Sequence, residues 1–146
     1  MYNTRSTFNR IIKNLAEPGI PVHFEPQEVT AWPSYRVTWL SVDPDTRTAG
    51  MRALVQVDIN VNEGQTAVAW KRADALQKAL GLARYQSRPK FLRQDWTDPR
   101  NPVDQPDIWA NWVEYGLRFG MGWRFSGDDP LARTLSVTLE LFFNAD

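Results

Sequence analysis

Two stretches near the C-terminus place apolar residues on every second position, and this alternation constrains the fold more than any other feature of the chain. Leu117, Phe119, Met121, Trp123 and Phe125 form the first run, and Leu135, Val137, Leu139, Leu141 and Phe143 form the second. A period of two sends successive side chains to opposite faces of an extended backbone, so each run reads as a strand with one buried face. The connection Ser126-Gly127-Asp128-Asp129-Pro130 is rich in turn formers, and the pair predicts an antiparallel hairpin. Extended character reaches back to Trp109, as one long bent strand. Gly116, Gly120 and Gly122 interrupt it, and glycine inside a strand marks a bulge or a close approach of backbones.

The first half alternates between helical and extended periods. Phe8, Ile11, Ile12 and Leu15 make the i, i+3, i+4, i+7 stripe of a helix over 4–16, with Thr4 or Ser6 as its cap and Pro18-Gly19 as its stop. Val22-His23-Phe24 is a short extended piece, and Pro26 and Pro33 bracket a loop that holds Trp32. Tyr35, Val37 and Trp39 alternate with Arg36 and Thr38 as a strand, followed by a polar connection over 43–50. Val55, Val57, Ile59 and Val61 alternate with Gln56, Asp58 and Asn60 in the clearest strand of this half, which Asn62-Glu63-Gly64 ends. A helix from Thr66 to Leu80 carries a narrow stripe of Ala69, Ala73, Leu76 and Leu80, with Gly81 as its stop. Residues 83–107 are polar and hold four of the ten prolines, with a strand near 90–96 and an irregular segment from Asp98 to Asp107. A loop of that length in a small domain is commonly a binding or assembly element.

Helix, strands, helix, strands is the order of an α+β fold: a mainly antiparallel sheet of about five strands with two helices packed on one face. The 146 residues predict a single domain over 1–146. A chain of that size buries about two-thirds of its unfolded surface and needs no covalent staple.

Composition removes several function classes. The absence of cysteine excludes a disulfide scaffold, thiolate metal sites and thiol nucleophiles, and it fits assembly in a reducing compartment. Lys+Arg and Asp+Glu are both 17, so there is no basic excess of the kind a dedicated nucleic-acid binder carries, and zero net charge favours self-association. No apolar run approaches the ~18–20 residues that cross a bilayer, and Met1 to Arg5 lack a signal-peptide core. The expectation is a protein made in the cytoplasm, with no membrane partner. Seven tryptophans are many for such a domain, and large rings carry much of both core and interface burial.

No constellation announces chemistry. His23 with Glu25 and Glu28 lacks an established ligand spacing and a second histidine. Asp95, Asp98, Asp104 and Asp107 are spaced too widely for a calcium loop and have prolines among them. Gly127-Asp128-Asp129 reads as an ordinary turn. Gly120-Met121-Gly122 lacks the strand-to-helix context of a dinucleotide loop, and there is no Gly-x-Ser-x-Gly elbow. The expectation is a non-enzyme with no catalytic residues, no metal and no cofactor. Trp70, Lys71 and Arg72, followed by Arg84, Tyr85, Arg88, Lys90, Phe91, Arg93 and Trp96, mix cations and rings as single-strand nucleic-acid binders do.

The order of elements is also familiar. An N-terminal helix runs into Pro18-Gly-Ile-Pro-Val-His-Phe24; an aromatic strand, Pro33-Ser-Tyr-Arg-Val-Thr-Trp-Leu40, follows; then Val55-Gln-Val-Asp-Ile-Asn-Val-Asn-Glu-Gly64 leads into the helix Ala67 to Leu80; an extended aromatic half closes the chain. In this the chain resembles the tail terminator or tail-completion proteins of long-tailed bacteriophages, the lambda type included. The resemblance implies a virion subunit that forms a hexameric homo-oligomer, caps the tail tube protein, stops tube polymerisation and meets the head–tail connector. DNA would pass through such a ring without sequence-specific contacts. The proline-rich segment 97–107 and the tryptophan load depart from that pattern. A head-to-tail ring needs two different contact surfaces, and the interface candidates are Trp32, Arg47, Trp96, Arg100, Trp109 and Trp112. A head-completion or neck adaptor role and a single-stranded nucleic-acid module stand as the alternative readings.

Overall fold

A computed structural model describes residues 2–44, 50–80, 117–125 and 133–143. Helix α1 spans Tyr2–Leu15, strand β1 Val22–Phe24, β2 Ser34–Pro44 and β3 Met51–Asn60. Helix α2 spans Thr66–Ala79, and strands β4 (Leu117–Phe125) and β5 (Thr134–Phe143) complete the set. The fold is α+β. One sheet has the order β1-β2-β3-β5-β4, antiparallel throughout except for the short parallel pairing of β1 with β2.

Strand β3 lies at the centre because its alternation is the most complete. Ala53, Val55, Val57 and Ile59 are fully buried, and β3 pairs along its whole length with β5. The register lines the inner face in rows: Tyr35, Ile59 and Leu135; Val37, Val57 and Val137; Trp39, Val55, Leu139 and Phe119; then Ala53, Leu141 and Leu117. Both helices close over these rows, with Phe8, Ile11 and Ile12 from α1 and Ala69, Ala73 and Leu76 from α2 in the same core. A 14-residue helix is marginal alone in water. Burial of each large apolar side chain contributes about 1.5–3 kcal/mol, so α2 persists through its contact with the sheet. The alanines let its backbone come close.

Several boundaries differ from the sequence reading. Helix α1 begins at Tyr2, so Thr4 and Ser6 lie inside the helix and cannot cap it. Strand β2 continues through Asp43 and Pro44, because pairing with Arg52 and Met51 outweighs the turn chemistry of those residues. Val61 is buried but lies past the end of β3. The expected stop of α1 is present: Gly19 has φ +85°, a conformation that glycine adopts without a Cβ penalty.

Strand β4 departs most from strict alternation. Its register against β5 shifts between Phe119 and Met121 and again between Met121 and Arg124. Met121, expected to face inward, is instead paired with Thr138 on the outer face and is 53% exposed. Gly120 sits at the first shift, whereas a Cβ on Gly122 would meet nothing within 4 Å. A Cβ on Gly120 would come within 3.3 Å of Glu140 Cγ, so the backbones approach closely there. The strand expected near 90–96, the irregular segment 98–107 and the extended residues 109–116 lie outside the described residues.

Candidate assembly surface

Among the described residues the outer face of the sheet carries no helix, and many of its polar side chains pair across strands, although Arg36 Nε is buried without a partner. Asp58 on β3 accepts hydrogen bonds from Ser136 Oγ (2.6 Å) and Gln56 Nε2 (2.8 Å). Asn60 donates to Ser34 Oγ (3.1 Å) and accepts from Thr134 Oγ1 (2.9 Å), so β2, β3 and β5 are tied at one end. Further along, Glu140 accepts from Arg52 on β3 and from Arg118 on β4 (2.9 Å). Burial alone would raise the Glu140 carboxyl, but the two arginines outweigh it and hold the group below its ordinary 4.5. The Arg118 guanidinium also lies 4.4 Å from the centre of the buried Phe142 ring. Polar contacts between strands therefore run along this face.

Among the described residues the exposed large apolar side chains of the sheet are Leu40 on β2 and Met121 on β4. Strand β1 covers only the first part of β2, since its three residues pair with Tyr35, Arg36 and Val37. Beyond Val37, β2 forms one edge among the described residues, and a register shift between Trp39 and Ser41 leaves Leu40 50% exposed. Beside it opens a recess of 390 Å3, lined by Arg5, Glu25, Pro26, Trp39, Ser41 and Val42. Strand β4 forms the opposite edge among the described residues, and its own shifts leave Met121 projecting. Bulges spoil strand-to-strand pairing at an edge, so both edges offer side chains rather than a free ladder.

Of the interface candidates, Trp32 is described: it is 38% exposed and stacks against Arg133. Arg47, Trp96, Arg100, Trp109 and Trp112 lie outside the described residues, as do the acidic loop at Asp95–Asp107 and Gly127-Asp128-Asp129. Trp39 on β2 is half-buried and packs against the core. Its ring packs edge-on against Phe8 at 5.9 Å, and its indole N–H donates to Asn9 Oδ1 (3.1 Å). Glu25 is taken up by Arg5 (3.1 Å) and the Trp39 backbone N–H (2.9 Å), and no three metal-ligating side chains meet among the described residues. Gly120-Met121-Gly122 lies within β4, away from any strand-to-helix turn.

Sequence reasoning passed over Leu40 and Met121 as surface points, and took Trp70 only as a ring of the basic–aromatic region. Trp70 is 47% exposed and meets Phe125 edge-on at 5.8 Å. Its signal was available, because it sits one residue past Ala69 and so on the flank of the α2 stripe. Arg72, grouped in sequence with the basic–aromatic region, turns inward and pairs with Glu17 (2.7 Å). The rest of that region, from Arg84 to Trp96, lies outside the described residues.

No protein-family model matches the chain, and no curated protein matches it. Among solved structures, the chain is similar to a component of the "Virion of native gene transfer agent (GTA) particle", with 14% identity and a TM-score of 0.48 over 99% of this chain and 91% of that one.

Proposed function

We propose that this protein is a structural subunit of a phage-like virion, specifically a tail terminator that forms a ring, caps the tail tube and joins it to the head connector. It carries out no chemistry in this role. The observation that supports the reading is the asymmetry of the two sheet edges. One presents a projecting methionine, Met121, and the other an exposed Leu40 beside a 390 Å3 recess. A knob on one side and a hollow on the opposite side fit head-to-tail contact between identical subunits, which gives a ring when the rotation between neighbours closes. The outer face between them already pairs many of its polar groups internally, which leaves the edges as the favoured contacts.

The test is assembly. Native mass spectrometry of the purified chain, alone and mixed with a tail tube protein, is expected to show a closed ring and tubes of limited length. A monomer at high concentration that leaves tube length unchanged overturns the reading.

A further inference from the structure

The groove between the two helices has a chemistry that the ring reading does not use. Its volume is 510 Å3, and it is lined by Leu15 and Glu17 at the end of α1, Tyr35 on β2, and Val68, Lys71, Arg72, Ala75 and Leu76 on α2. Leu15, Val68, Ala75 and Leu76 make it apolar along its length. Three donors face one acceptor. Arg72 donates through Nε to Glu17, which leaves its Nη1 buried without a partner. Tyr35 is buried, and its oxygen accepts the Glu17 backbone N–H at 3.4 Å, while its own proton has no acceptor among the described residues. Burial raises the Tyr35 hydroxyl above its ordinary 10.0, so it remains a neutral donor at physiological pH. Lys71 stands exposed at the mouth and pairs with no carboxylate among the described residues.

We infer that this groove binds a carboxylate side chain borne on an apolar segment of a partner protein. The donors exceed the acceptors, and Lys71 and Arg72 outnumber Glu17 in charge, so the missing group is an anion. A buried donor without an acceptor is costly, and an incoming carboxylate relieves it through a small rotation of the guanidinium. A bare inorganic anion would leave Leu15, Val68 and Ala75 in contact with water. An aspartate or glutamate flanked by aliphatic residues satisfies both halves, and the size lies within the range of ordinary binding clefts. The exposed Lys71 and Ala75 at the rim leave the groove open to a chain that lies across α2.

The experiment is a titration of the full chain, followed by amide NMR shifts, with acetyl-Leu-Glu-Leu-amide and acetyl-Leu-Gln-Leu-amide up to 10 mM. The glutamate peptide is expected to move Val68, Arg72 and Leu76 saturably, and the glutamine peptide to bind at least tenfold more weakly. Arg72→Gln should abolish that preference. Tyr35→Phe, which keeps the ring, should weaken the glutamate peptide several-fold and so gives a second reading if the first variant folds poorly. Equal affinity for the two peptides, a preference that survives Arg72→Gln, or no binding at 10 mM overturns the inference. Hexanoate binding as tightly as the glutamate peptide would reassign the groove to small acids and overturns the partner assignment. These outcomes are independent of whether the chain forms rings.

Discussion

The guanidinium of Arg133 lies 4.0 Å from the centre of the Trp32 ring, and its Nε donates to the Val61 carbonyl at 3.3 Å. The loop before β2 is thereby held against the residue that enters β5, with the tryptophan still partly open to solvent. A cation–π contact at such a site contributes about 0.5–1 kcal/mol. Its larger effect is to fix the ring in one orientation before any partner arrives, which lowers the entropy lost on binding. Trp32→Ala is therefore expected to leave the fold intact, lower stability by about 1 kcal/mol, and weaken assembly at least tenfold. Thermal melts and sedimentation measure the two effects separately, and equal assembly by the variant removes Trp32 from the interface.

Phe8 anchors α1. Its ring is fully buried and meets Trp39 edge-on, so one side chain joins the helix to β2. Phe8→Ala is expected to cost about 3–5 kcal/mol, the range for emptying a buried aromatic site. Urea unfolding followed by circular dichroism checks this. A loss under 1 kcal/mol would mean that α1 docks by other contacts.

The same contact shows where sequence reading stops. Strands β2, β3 and β5 were legible because each has one buried face, and that alone imposes period two on Tyr35 to Trp39, Val55 to Ile59, and Leu135 to Leu141. The alternation placed Trp39 on the inner face, but its partners were not legible, since Phe8 and Asn9 lie some 30 positions away in the chain. The exposure of Met121 was half legible: the glycines beside it announced a bulge, but the side to which a bulge turns its neighbour depends on the register with β5. The groove was invisible, because Tyr35 read as a strand residue and Arg72 as part of a basic–aromatic region, and only the packing of the helices on the sheet brings them together.

Acid stability should report on Glu140. Its folded carboxyl titrates below 4.5 because Arg52 and Arg118 favour the charged form. A carboxyl depressed on folding contributes stability that is present above the unfolded value and lost as pH falls through the folded one. The protein should therefore lose stability on acidification below about pH 4.5. Glu140→Gln is expected to be less stable at pH 7, by about 1–3 kcal/mol, with a flatter acid limb. Parallel limbs for the two proteins would show that Glu140 is not the titrating group.

At the alkaline end the titrating group is Tyr35. Burial raises its hydroxyl above 10.0, and the charged form is disfavoured in the core. A group raised on folding contributes stability below the unfolded value that disappears as pH rises through the folded one. Stability should fall above about pH 10, and Tyr35→Phe should remove this loss while changing stability at pH 7 by about 1 kcal/mol. Chemical denaturation between pH 8 and 11 makes the comparison.

The two edges can be tested against each other. Leu40→Asp spoils one edge and Met121→Asp the other, and both residues are exposed, so each change should alter monomer stability by under about 0.5 kcal/mol. In a head-to-tail ring every contact uses one edge of each kind, so either variant alone should remain monomeric. Mixed together, the intact Leu40 edge of the Met121→Asp chain meets the intact Met121 edge of the Leu40→Asp chain. The remaining edges are both spoiled, so growth stops at a one-to-one heterodimer. A two-fold contact built from a single edge would behave otherwise: the variant with the unaffected edge would still dimerise by itself. Native mass spectrometry of the two variants and their mixture distinguishes these cases, and a mixture that yields only monomer removes Leu40 and Met121 as opposing contacts.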